Sequence, residues 1–134
     1  MKVRKHPGAT PEGIIDHIKP VLQKKPDKII IRTGTNDISN GINYLKSVID
    51  LVKMTKEATP TTKICFSLIR RSDIKDGEEK IMEINNLLKK YCQHNYLDFI
   101  DNENLIIEDL GKRKLHPNIK GSKKLVKNFL NYLC

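Results

Sequence analysis

"PDKIIIRTGTNDIS", residues 26–39, is the stretch on which the reading of this chain turns. Pro26-Asp27 breaks the chain, and the three consecutive β-branched residues Ile29-Ile30-Ile31 predict a buried strand over Lys28 to Thr33. The run stops at Arg32-Thr33 and gives way to Gly34-Thr35-Asn36-Asp37, four residues that suit a turn. Beyond it, Ile42, Leu45, Val48, Ile49 and Val52 recur at helical spacing and predict a helix from about Ser39 to Ala58. A strand feeding a short loop and then a helix is half of a parallel βαβ unit.

The same alternation extends in both directions. Upstream, Thr10-Pro11 pairs an N-cap with a proline at the first helical position, and Ile14, Ile15, Ile18, Val21 and Leu22 share one stripe. A helix is expected over about Pro11 to Lys24, kinked or frayed near Pro20. Downstream, Thr59-Pro60 ends the next helix, Lys63 to Ile69 reads as a strand, and a polar loop runs from Arg70 to Gly77. A further helix carries the stripe Ile81, Ile84, Leu87, Leu88, Tyr91 and Cys92, and Tyr96 to Ile100 forms a short strand. Asp101 to His116 is a long connection with one short turn around Leu105 to Leu110. The last helix starts near Asn118 and is expected to bury Leu125, Val126, Phe129, Leu130 and Leu133.

Strands separated by helices imply parallel crossovers, so the fold class is α/β, a three-layer α/β/α sandwich around a parallel sheet. Ligands of such sheets sit outside the carboxyl ends of the strands, which is where the Gly34 to Asp37 loop belongs.

The chain has 134 residues, read as a single domain over 1–134, with 38% hydrophobic and 31% charged residues. That balance argues against wholesale disorder, and no apolar run approaches the roughly 20 residues needed to cross a bilayer, so no membrane partner is expected. The basic start, Met1 to Gly8, lacks the apolar segment of a secretory signal, which predicts an intracellular protein, cytoplasmic or nuclear. Cys65, Cys92 and Cys134 are odd in number and widely spaced, and read as buried or free thiols rather than a disulfide frame or a zinc site. His6, His17 and His94 show no metal-ligand spacing, and Asp98, Asp101, Glu103, Glu108 and Asp109 crowd the last loop without a regular one. No metal and no cofactor is predicted.

The net charge of +9 is uneven: Lys112, Arg113, Lys114, Lys120, Lys123, Lys124 and Lys127 follow Leu110 with no acidic residue among them. Such a segment is either the solvated face of a terminal helix or a surface for polyanions such as nucleic acid.

Three short pieces complete the picture: "HPGAT" at 6–10, "GTND" at 34–37 and "LHPNIKG" at 115–121. In this order, and set in this α/β pattern, they resemble the SGNH hydrolases, the GDSL-type esterase and lipase superfamily, and within it the short, divergent type associated with retroelements. The resemblance implies the flavodoxin-like SGNH hydrolase fold and acyl transfer on a small ester or acetylated substrate. In that chemistry a Ser oxygen attacks the carbonyl, His accepts its proton, Asp orients the His, and backbone N–H groups with an Asn amide hold the oxyanion. Carried over residue by residue, Gly8 is the backbone oxyanion donor, Asn36 the side-chain donor and His116 the base, with Gly34 and Asp37 supporting the loop and the helix cap.

Two members of the set are not found. The Gly-Asp-Ser block would lie further upstream than the seven residues that precede Gly8, so the nucleophile and the first strand are both missing and an N-terminally truncated domain is expected. Three residues before His116, where the family has Asp, this chain has Arg113, whose guanidinium cannot accept the imidazole N–H. Asp109 is the alternative orienting acid if the loop doubles back. Ser39 reads as a helix cap, Ser67 lies within a strand, and Ser47, Ser72 and Ser122 have no base beside them in sequence. The expectation is therefore a degenerate acyl hydrolase, inactive as this chain alone; the alternative is a basic α/β module that contacts nucleic acid through its C-terminal segment.

Overall fold

The computed structural model describes residues 18–32, 41–68, 77–105, 107–109 and 118–133. Helical residues 18–22 are followed by strand β1 (Lys28–Ile31), helix α1 (Gly41–Ala58), strand β2 (Lys63–Ser67), helix α2 (Gly77–His94), strand β3 (Asp98–Ile100), a 3₁₀ turn (Ile107–Asp109) and helix α3 (Ile119–Leu133). The strands form a parallel sheet in the order β1-β2-β3, with Ile29 opposite Ile64, Ile31 opposite Phe66, and Phe66 opposite Phe99. The predicted α/β class with a parallel sheet is what the chain adopts.

Strand alternation explains the layers. Phe99 faces α2, because Lys89 of that helix lies 5.9 Å from the Phe99 ring and 2.9 Å from Asp101. Asp98 faces the other way and accepts a hydrogen bond from Tyr132 Oη of α3 at 2.6 Å. Lys28, of the same parity as Asp98 across the register, lies over the Tyr132 ring at 5.3 Å. Helix α1 packs on α2. Thus α1 and α2 cover one face while α3 covers the other, which completes the three layers. Moving from β1 to β2 to β3 with both crossover helices on one face, then returning toward β1 on the opposite face, is what the handedness of parallel crossovers requires.

The main core lies between the sheet and the α1–α2 pair. Ile29, Ile31, Ile64, Phe66 and Leu68 meet Val48, Leu51, Val52, Ile81, Ile84, Leu88 and Cys92, all buried, with Ile18 and Leu22 joining them. Most of them are residues that the periodicity singles out; on α1, Leu51 is buried although the expected stripe omits it, and Ile49, expected on that stripe, is 40% exposed. Emptying one such position, as in Phe66→Ala, costs on the order of 3–5 kcal/mol.

Two further details differ from expectation. Tyr96 does not begin β3: it is 97% exposed with a φ of 56°, so the chain turns there and the strand starts at Asp98. In α3, Val126 and Leu130 are 40% and 43% exposed rather than buried, and Ile119 is 79% exposed. The helix packs its Gly121 and Leu125 side inward, and a 15-residue helix with apolar residues on two arcs can bury only one of them against a sheet this narrow.

Candidate functional site

Helix α3 runs against the strand direction. Its first turn meets the 3₁₀ turn, Asn128 reaches Asn102 just past β3, and Tyr132 reaches Asp98 at the start of β3. The carboxyl edge of the sheet is therefore bounded by Arg32, Ser67, Leu68, the Ile100 to Leu105 segment, the 3₁₀ turn and the N-terminus of α3. Segments 33–40 and 110–117 are both attached to this edge, the first through Arg32 and the second through Asp109 and Asn118. Gly8, Gly34, Asn36, Asp37 and His116 lie outside the described residues, as do Lys112, Arg113 and Lys114.

What the edge does show is how the motifs around those residues are anchored. Asn118 Oδ1 accepts the Gly121 N–H at 2.9 Å, which makes Asn118 the N-cap of α3. Its backbone N–H donates to the Asp109 carbonyl at 2.8 Å and its Nδ2 to the Glu108 carbonyl at 2.7 Å. Residues 109 and 118 are thereby stapled together, so the segment carrying His116 leaves and returns at one point. Gly121 is required for the same contact: a Cβ there would sit 2.1 Å from the Asp109 carbonyl oxygen. Of the "LHPNIKG" motif, then, Asn118 and Gly121 have structural work.

Asp109 is fully buried, and its Oδ2 accepts from Lys124 Nζ at 2.7 Å, with Lys120 Nζ 3.9 Å from Oδ1. Lys124 also donates to the Asn104 carbonyl at 3.1 Å. The carboxylate considered as an orienting acid for His116 is thus engaged with α3. The expected basic segment also divides: Lys124 is drawn into this internal pair, while Lys120, Lys123 and Lys127 are exposed on the outer surface of α3.

A second network holds the edge from below. Asn102, 3% exposed and at a φ of 57°, donates through Nδ2 to Ser67 Oγ at 2.8 Å and to the Leu68 carbonyl at 2.9 Å. Its Oδ1 accepts from Asn128 Nδ2 at 3.0 Å, which also donates to Asn104 Oδ1 at 2.8 Å. Asparagine tolerates the left-handed conformation better than most residues, and this one uses its amide to tie β2, β3 and α3 together. Ser67 is 2% exposed and accepts from Asn102, a structural hydroxyl rather than a nucleophile.

Sequence reasoning passed over Arg32. One residue beyond β1, it is half-buried, its Nε is sealed from solvent with no hydrogen-bond partner among the described residues, and burial holds its guanidinium below the usual arginine value. Its only signal in the sequence is a charge directly after three isoleucines. Elsewhere, Cys65 and Cys92 are fully buried free thiols, raised to about 12 and about 11 by burial first and then by Asp98. Among the described residues no three His, Cys, Asp or Glu side chains converge as a metal ion requires, and no helix is long and apolar enough to cross a membrane. A shallow hollow on the outer face of α3, lined by Asn118, Ile119, Ser122, Lys123 and Val126, offers apolar surface but no pair of reactive groups.

No protein-family model and no curated protein matches the chain. Solved structures do. A carbohydrate esterase of family 3 from Talaromyces cellulolyticus superposes with a TM-score of 0.83 at 20% identity, over 96% of this chain and 68% of its own. A GDSL-like lipase from Bacteroides thetaiotaomicron gives 0.77 at 18%, over 95% and 73%. An acetylxylan esterase from Geobacillus stearothermophilus gives 0.71 at 18%, over 92% and 67%. The chain has the SGNH/GDSL hydrolase-like fold that the motif order suggests, and at these identities the likeness is one of fold.

Proposed function

We propose that residues 1–134 form a single SGNH-type domain of the short, divergent kind, derived from ester hydrolases and built to bind at the former reaction site rather than to turn over substrate by itself. The observation that carries this reading is the coincidence of an esterase-like fold over 96% of the chain with "GTND" after β1 and "LHPNIKG" leading into α3. Gly8 and Asn36 take the oxyanion-donor roles and His116 the base role, on a small ester or acetylated group. Losing one oxyanion donor in a working hydrolase lowers the rate by about 10²–10³. On this reading residues 1–134 do not themselves supply the nucleophile, and what they offer is a binding pocket.

The test is hydrolysis of 4-nitrophenyl acetate by this chain, by its His116→Ala variant and by a version extended upstream. The short chain is expected to show no hydrolysis that depends on His116. Activity in the short chain that His116→Ala abolishes would overturn the reading; activity gained only on extension would identify truncation as the cause of silence.

A second reading, a nucleic-acid-binding module, is favoured by one observation: Lys120, Lys123 and Lys127 are exposed on α3, which carries no acidic residue. Phosphate contacts of this kind weaken steeply with salt, so a gel shift with duplex and single-stranded oligonucleotides at ~50 mM salt decides it. The absence of a salt-sensitive shift would sink this alternative.

A further inference from the structure

Arg32 stands at the carboxyl edge of the sheet with a need that the described residues do not meet. Its guanidinium keeps its proton in any protein environment. A positive charge taken out of water is expensive unless a carboxylate and further hydrogen bonds compensate it. Among the described residues no acidic group offsets its burial.

Of the acids along the strands and the edge, three are engaged elsewhere, and Glu103 and Glu108 are exposed. Asp101 pairs with Lys89 at 2.9 Å, Asp109 with Lys124 at 2.7 Å, and Asp98 with Tyr132 at 2.6 Å. The neutral acceptors are committed too. Continuing the register by one residue sets Arg32 opposite Ser67, on the α3 face of the sheet. There Ser67 Oγ and the Leu68 carbonyl accept from Asn102 Nδ2, and Asn102 Oδ1 accepts from Asn128. A half-buried guanidinium whose Nε has no hydrogen-bond partner among the described residues, at the edge where parallel sheets take ligands, marks a place for an acceptor from outside.

We propose that Arg32 anchors an anion site at this edge, binding an oxyanion of the ligand, carboxylate or phosphate, through its planar fork of N–H donors. The planar guanidinium fork matches two oxygens of such a group, which a point charge does not. The proposal rests on the reading of this edge as a ligand-binding site, and it narrows the ligand of that site to an acidic one. It does not require the site to hydrolyse anything.

The experiment uses the full chain with sodium acetate, sodium phosphate and sodium chloride at matched ionic strength, read by thermal melting and by titration calorimetry. A ligand that binds only the folded state raises the melting temperature. Acetate or phosphate is expected to raise it above chloride in the wild type, with acetate alone pointing to a carboxylate ligand and phosphate alone to a phosphorylated one. Arg32→Met should weaken binding by at least about tenfold, and Arg32→Lys should keep a weaker response, since it supplies the charge without the fork.

Without added anion, Arg32→Met should melt at the wild-type temperature or above, because it removes a half-buried charge that no described acid offsets. Three outcomes would overturn the proposal: neither anion exceeding chloride, equal responses in wild type and Arg32→Met, or Arg32→Met melting several degrees lower without anion, which would reveal a structural partner. Hydrolysis by the short chain would refute the non-hydrolytic reading while leaving these results untouched, so the two failures are distinguishable.

Discussion

The backbone of Gly121 lies so close to the Asp109 carbonyl that a single added methyl would come within 2.1 Å of the oxygen. Helix α3 and the 3₁₀ turn are therefore interlocked through their main chains, and the segment carrying His116 is closed at its base. Alanine in a helix is worth about 1 kcal/mol over glycine, but overpacking against an immobile backbone costs about 1–3 kcal/mol and often more where nothing can move aside. Gly121→Ala should thus be net destabilising in urea unfolding. A variant as stable as wild type would mean that the 3₁₀ turn yields freely.

Lys124 is the counter-ion of a fully buried carboxylate. Removing one member of such a pair leaves the other stranded, typically at a cost of about 3–5 kcal/mol. Since the Lys124 side chain is 31% exposed, solvent screening brings the expected loss for Lys124→Met to the lower end, about 3 kcal/mol or somewhat less. Denaturant melts check it, and a loss below about 0.5 kcal/mol would class the pair with ordinary surface contacts.

At Asn102 the backbone and the side chain can be separated by two substitutions. Asn102→Gly accepts the φ of 57° but drops the bonds to Ser67, Leu68 and Asn128; Asn102→Ala drops them and adds strain of roughly 1–2 kcal/mol. Both should destabilise, alanine more than glycine. The reverse order would show that backbone entropy, not the left-handed conformation, dominates at this position.

Alkaline pH should weaken the fold. Cys65 and Cys92 are raised from 9.0 to about 12 and about 11, and Tyr132 is raised by burial and by its hydrogen bond to Asp98. The unfolded chain loses these protons first, so the contribution is fully present below pH 9 and is lost as pH rises through the folded-state values. Thermal melts from pH 8 to pH 11 should show a falling midpoint, with a shallower fall in Cys65→Ala/Cys92→Ala. A midpoint that is flat to pH 11 contradicts the burial of both thiols.

Much of the fold is legible in the sequence because its signals are periodic. Ile29 to Ile31 are a strand, and Val48, Val52, Ile84 and Leu88 are core, as their spacing predicts. Periodicity fixes an apolar arc but not what it faces, which is why Val126 and Leu130 read as buried when α3 turns Gly121 and Leu125 inward instead. Tyr96 misleads for a related reason: an aromatic beside a strand looks like strand, and a left-handed turn leaves no mark in composition. The site residues that motif order suggests lie outside the described residues, whereas Arg32 is not legible in sequence, since a single charge acquires meaning only from burial and from the lack, among the described residues, of a partner for its Nε. Asp109 shows the converse, a carboxylate that looks free in sequence and is held by Lys124 in the fold.

The central proposal is that residues 1–134, with their esterase-like fold, do not by themselves form an activated serine, and covalent labelling tests it most directly. Incubating the chain with a fluorophosphonate and measuring its intact mass should show no stoichiometric adduct, while a serine esterase treated in parallel is fully labelled. A single adduct that maps to one serine of this chain and disappears in His116→Ala would contradict it.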